Sequence, residues 1–173
     1  MTKVLGSTKT FLNEDDKSAI EFIEIVADIT AVDEYQKLKN YTHHHAFTRY
    51  QHCVNVAWYT YLWTKASGLD YVSATRGAML HDFFVYEWKT EQPISGRHSV
   101  VHPRIALENS MKYFEVNDIM KDCIVNHMWP NTIHAPKTAE GIIVTLADKY
   151  CATLEWSFYS ISHAFRTVLG SLA

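Results

Sequence analysis

An all-α fold is what this sequence predicts, on three observations. Apolar residues recur mostly at intervals of three and four, no stretch carries a hairpin or βαβ signal, and only six Gly and four Pro interrupt 173 residues. With 47% hydrophobic and 20% charged residues the chain is long and apolar enough to bury one full core. A single bundle of roughly six to eight helices is therefore expected. Residues 1–13 are polar and aperiodic and read as a flexible arm ahead of a helical domain over 14–173.

The helices follow from their start and stop signals. From Asp15 onward the first is marked by Ile20, Ile23 and Ala27 on one face. Thr48-Arg49-Tyr50-Gln51 reads as a capping box, so a helix starts there and runs to about Ala66, with His52 in its first turn. Gly68-Leu69-Asp70 is a stop followed by a new cap, and the next helix runs from Tyr71 to His81-Asp82. Residues 89–101 form a loop. Pro103 then suits the first position of a helix reaching about Phe114, which leaves His102 at its start. Asn117 caps a helix whose Met120, Cys123, Ile124 and His127 share an apolar face, so His127 points inward. After a second loop at 128–137, a long helix from Thr138 carries Ile143, Leu146, Ala147, Tyr150 and Leu154, with Asp148 inside that apolar pattern.

Composition excludes several functions. Lys plus Arg number 16 against 19 Asp plus Glu, a formal charge of −3, which argues against a surface built to neutralise a nucleic-acid polymer. Cys53, Cys123 and Cys151 form no CxxC and no disulfide framework, so a reducing, cytoplasmic setting is expected. No apolar run suits a signal peptide or a membrane span. The unusual count is ten His. Imidazole is the commonest metal ligand and proton shuttle.

Six residues draw that count into chemistry: His52, His81, Asp82, His102, His127 and Asp148, each on or at the end of a predicted helix and mostly among apolar neighbours. An isolated ionised carboxylate in such surroundings costs several kcal/mol, and a cation or a dense hydrogen-bond network offsets it. Imidazole nitrogen with carboxylate oxygen suits first-row divalent ions, and the lack of a Cys cluster argues against a closed structural zinc site. Four His and two Asp are donors enough for two ions. A pair about 3.5–4 Å apart can clamp both oxygens of an in-line displacement.

The order H, HD, H, H, D on successive helices resembles the HD-domain superfamily of metal-dependent phosphohydrolases. RYQHCVNVA, AMLHDFF, HPRIALENS and VTLADKYCA look like family segments, and the likeness spans roughly 45–155. It implies His52, His81, Asp82 and Asp148 as the four family metal ligands, with His102 and His127 as the extra pair of members that hold two ions. Asp82 is followed by FFVYEW, without the Gly-Lys or Gly-Tyr-Pro of two family branches, whose substrates do not carry over.

The expected function is hydrolysis of a phosphoester in a small nucleotide or related metabolite, with one or two divalent ions as cofactor. Iron or manganese lead over Zn, Ni, Co and Mg. The ions would activate a water for attack on phosphorus, with Lys or Arg stabilising the phosphoryl charge. Asp82, Lys149 and Arg49 are the expected catalytic residues, and Lys89, Arg97 and Arg104 are further candidate cations. Glu87 is either a base behind the ligands or a solvated helix end. His43-His44-His45 reads as a solvated loop, His98 and His134 as loop residues near the site's mouth, and His163 as structural. Trp58, Tyr59, Tyr61 and Trp63 read as packing residues, and a homodimer through their helices is the assembly considered. Two rival functions share the ligand set: a di-iron oxygenase, and a module that binds a metal or nucleotide without turnover.

Overall fold

The computed structural model describes Val4 and residues 16–43, 47–91 and 95–170, with side chains as far as His163. The arm expected over 1–13 lies outside the described residues except for Val4, which is buried with the core; His44 and His45 also lie outside them. Among the described residues seven α-helices follow in order: α1 (Lys17–Ala31), α2 (Asp33–Gln36), α3 (Arg49–Ala66), α4 (Tyr71–Leu80), α5 (His98–Tyr113), α6 (Asp118–Asn126) and α7 (Ala139–Gly170), with a 3₁₀ turn at Lys37–Asn40. No strand occurs among the described residues, only an isolated antiparallel bridge between Thr42 and Thr48. The class is all-α, as the periodicity predicts. None of the helices described is long and apolar enough to cross a membrane.

The caps read from the sequence form. Thr48 accepts from the Gln51 amide (3.2 Å), Asp70 from that of Ser73 (2.9 Å) and Asn117 from that of Met120 (2.9 Å). Gln51 does not reach back to close a box; its Nε2 donates to Asn55 Oδ1 at 2.8 Å. Along α3 nearly every side chain from Arg49 to Tyr61 is buried, so this helix is the axis of the bundle. Trp58 and Tyr61 pack edge-on against Phe22 of α1, with ring centroids 5.2 and 5.9 Å away, which is a core role for that aromatic group.

Two helices bury a different face from the one expected, and one starts earlier. In α1 the buried stripe is Ala19, Phe22, Val26 and Ile29, one position out of phase with Ile20, Ile23 and Ala27. In α7 the buried face is rotated in part: Ala147 and Leu154 pack on the core as the pattern suggests, joined by Val144 and Cys151, while Leu146 and Tyr150 are exposed. Apolar residues line more than one side of both helices, so a period of 3.6 leaves the phase open, and packing selects it. Helix α5 begins at His98 rather than Pro103, which therefore lies inside it. As the sixth residue of the helix, Pro103 has no N–H to donate to the Ser99 carbonyl. His98 thereby stands one turn before His102, on the same face.

Helices α4 and α6 approach closely because Gly77 carries no side chain: a Cβ there would lie 2.7 Å from Cys123 Cβ. Behind α6, Asp122 anchors the start of α7 by accepting from the Lys137 and Thr138 amides (both 2.9 Å), the Thr138 hydroxyl (2.7 Å) and Asn126 (2.7 Å). Burial raises the Asp122 carboxyl, but these donors outweigh it and lower the pKa below the ordinary value of 3.8. A lowered folded pKa contributes stability that is complete above the ordinary value and lost as pH falls through the folded one. Asp122→Ala is expected to destabilise the fold by about 1–3 kcal/mol at neutral pH. Urea melts at a series of pH values should show the gap from the parent protein shrinking below about pH 4.

Candidate metal centre

The six residues singled out in the sequence meet at one place: Asp82, His102, His127 and Asp148 line a cavity of about 520 Å³, and His52 and His81 are fully buried against them. His52 stands in the first turn of α3, His81 and Asp82 just past the end of α4, His102 on α5, His127 just past α6 and Asp148 on α7. All six are buried.

The backbone aims three of the imidazoles. His81 Nδ1 lies 2.7 Å from the Ala78 carbonyl, His127 Nδ1 lies 2.7 Å from that of Ile124, and His102 Nδ1 lies 2.8 Å from that of His98. A carbonyl only accepts, so each Nδ1 carries a proton and each Nε2 is turned towards the cluster. Two of these carbonyls belong to the last turns of α4 and α6, where helices leave acceptors without partners. His81 and His127 thus satisfy their own helix ends and point a donor nitrogen forward in the same contact.

The carboxylates join the two halves of the cluster. Asp82 Oδ1 is 3.2 Å from His102 Nε2 and 3.7 Å from His127 Nε2, while Oδ2 is 3.7 Å from His81 Nε2. Asp148 Oδ1 is 3.1 Å from His52 Nε2 and 4.0 Å from His81 Nε2. Donor atoms of His52, His81 and Asp148 lie within 4.8 Å of one another, as do those of His81, Asp82 and His127. His102 and His127 face each other through Nε2 atoms 3.0 Å apart. Two facing lone pairs repel unless a proton or a cation lies between them. His81 Nε2 and Asp82 Oδ1 are buried without a hydrogen bond. Orphaned polar atoms, imidazoles and two carboxylates fit one or two first-row divalent ions.

Titration follows the same geometry. Burial works against ionisation of Asp82, yet His81, His102 and His43 hold its carboxyl well below the usual range. Burial opposes Asp148 too, but His52 and Lys149 hold it well below that range. For His127, burial and the neighbouring His81 and His102 push the pKa down to about 3, which keeps the ring neutral. His52 behaves in the opposite sense. Burial would lower its pKa, and Glu155 and Asp148 together raise it to about 10.

Glu155 is the functional residue that the sequence reading missed. It is fully buried, its carboxylate oxygens lie 3.0 and 3.1 Å from His52 Nδ1, and Asn55 donates to it at 2.9 Å. A carboxylate that holds Nδ1–H fixes the tautomer and strengthens Nε2 as a ligand. Its spacing of seven from Asp148, two helical turns, was the available signal.

The remaining candidates separate by position. Lys149 lines the cavity and donates to Asp148 Oδ2 (2.7 Å) and the His127 carbonyl (3.0 Å). Arg49 does not line it. Its guanidinium lies 3.5 Å over the Phe84 ring and donates to the Phe84 and Tyr86 carbonyls at 2.6 and 3.3 Å. Asn109 bonds the Phe83 carbonyl and Tyr41 that of Val85, so four successive carbonyls of the buried segment after Asp82 are satisfied by side chains. Arg49 positions that segment. Lys89, His98 and His43 line the cavity, whereas Glu87, Arg97, Arg104 and His134 do not; Arg97, Arg104 and His134 are exposed. His98 stacks between Trp88 and His102, with centroids 4.9 and 4.5 Å away, and burial beside His102 lowers its pKa to about 4. His163 is exposed on α7 with its ring 5.9 Å from that of Tyr159. All three cysteines are free and buried.

Fold and site together define the class: an all-helical protein with a buried His/Asp cluster that could hold a metal ion, compatible with a site of the HD type. Comparison with known protein families, with curated proteins and with solved structures finds no match to the chain.

Glu155→Gln removes the charge behind His52 and keeps the volume. Metal affinity measured by calorimetry is expected to fall about 10–100-fold, with the fold retained.

Proposed function

We propose that this chain is a metal-dependent phosphohydrolase of the HD type, acting on a phosphoester in a small nucleotide or related metabolite. One observation carries the reading: six metal-binding side chains from five helices cluster together, and four of them line a cavity that also holds Lys149. Divalent ions bound there supply Lewis acidity towards phosphoryl oxygens and lower the pKa of water. Asp82 and Asp148 stay ionised and bind the ions. Lys149 uses two of its N–H groups on Asp148 and the His127 carbonyl, which leaves the third for a phosphoryl oxygen. Phe84, Trp88, Met128 and Ala152 line the walls; they contact the organic body of the substrate and exclude water from the reacting end.

A specific observation favours a second reading as well. With Arg49 committed to backbone carbonyls, Lys89 and Lys149 are the Lys and Arg side chains on the cavity wall among the described residues. That lining is sparse for a doubly charged phosphate, and a di-iron oxygenase would use the same ligands on a less charged substrate. Protein loaded with Mn, Fe, Co or Ni is expected to release phosphate or nucleoside from a phosphoester panel. Oxygen uptake by iron-loaded protein without phosphate release decides for the oxygenase.

Asp82→Ala and Asp148→Ala should each abolish metal binding and turnover, read as metal content and product release on the same preparation. A fully metallated, active Asp82→Ala protein contradicts the assignment.

A further inference from the structure

A further imidazole stands beside the four His and two Asp of the cluster. His43 Nδ1 is 3.9 Å from Asp82 Oδ2, and its ring lies over that of His52 with centroids 4.1 Å apart and planes inclined by 31°. Donor atoms of His43, His52 and Asp82 all fall within 4.8 Å of one another, the same closeness that unites the other two triads. His52 and Asp82 belong to this triad and to the others, so the three groups form one continuous donor array. Two donors each about 2.1 Å from one ion lie roughly 3–4.2 Å apart, from cis to trans placement. The observed 3.9 Å falls within that span.

Local structure explains why His43 is there. Thr42 and Thr48 pair in an antiparallel bridge, the His43 amide donates to the Phe47 carbonyl at 2.7 Å, and the Arg49 amide donates to that of Tyr41 at 2.9 Å. These bonds fold the chain back immediately before α3. The His43 ring is thereby laid over the first turn of that helix, where His52 stands. His43 also lines the cavity, and its side chain is 16% exposed.

We propose that His43 is a further protein ligand of the metal centre, one that closes the donor set on its solvent side. It rests on the metal reading of the six-residue cluster and adds a seventh donor to it. Imidazole is a good ligand for the same first-row divalent ions that the other four His suit.

Co(II) added to the metal-free full chain tests this, followed by calorimetry and by visible d–d absorption. Both His43→Ala and His43→Gln are expected to weaken Co(II) binding about tenfold or more and to change the absorption band. Free imidazole, admitted through the cavity, should restore the wild-type band in His43→Ala. Thermal melting of the metal-free variants checks that they fold. Wild-type affinity and spectrum in both variants would overturn the assignment of His43 alone. A wild-type chain that takes up no Co(II) would overturn the metal centre with it.

Discussion

Two ionised carboxylates and four imidazoles share the interior of a small helical bundle, and their mutual electrostatics constrain everything around them. Asp82 and Asp148 are 4% and 8% exposed, where an unpaired carboxylate costs several kcal/mol. His81, His102 and His43 hold Asp82 ionised, and His52 and Lys149 hold Asp148 so. A cation at the point where those atoms converge satisfies both carboxylates and the inward lone pairs together. Without positive charge there, the His102 and His127 nitrogens at 3.0 Å would repel.

The bundle is arranged to deliver that convergence. Gly77 lets α4 and α6 approach, so their ends bring His81 and His127 together with ring centroids 4.8 Å apart. Each ring is locked by a carbonyl of its own last turn. Asp82 lies at the head of an irregular buried segment, and that segment is tolerable because Arg49, Tyr41 and Asn109 satisfy its carbonyls. Glu155 completes the support from α7, two turns beyond Asp148 and against His52. Orientation of the donors is therefore a property of helix ends and buried hydrogen bonds rather than of mobile loops.

Much of this was legible in the sequence, for physical reasons. Caps at Thr48, Asp70 and Asn117 are local contacts between a side chain and the amide three residues on, so short-range pattern reveals them. The six His and Asp stood out because polar groups on apolar helix faces need a partner. Other features depend on the tertiary fold. The buried stripe of α1, and part of that of α7, was misread because apolar residues lie on more than one side of both helices. Pro103 looked like a helix start, and that hid the place of His98 on the ligand face of α5. The charge of Arg49 identifies a donor, but its acceptors are carbonyls 35 and 37 residues away. His43 stands in a run of three His that read as a solvated loop, and its place over His52 depends on the tertiary fold.

The metal content of the purified chain, before and after reconstitution with iron or manganese, tests the central claim most directly. The account predicts one or two tightly held first-row divalent ions per chain, surviving dialysis. A folded chain that retains no divalent ion after reconstitution would contradict it.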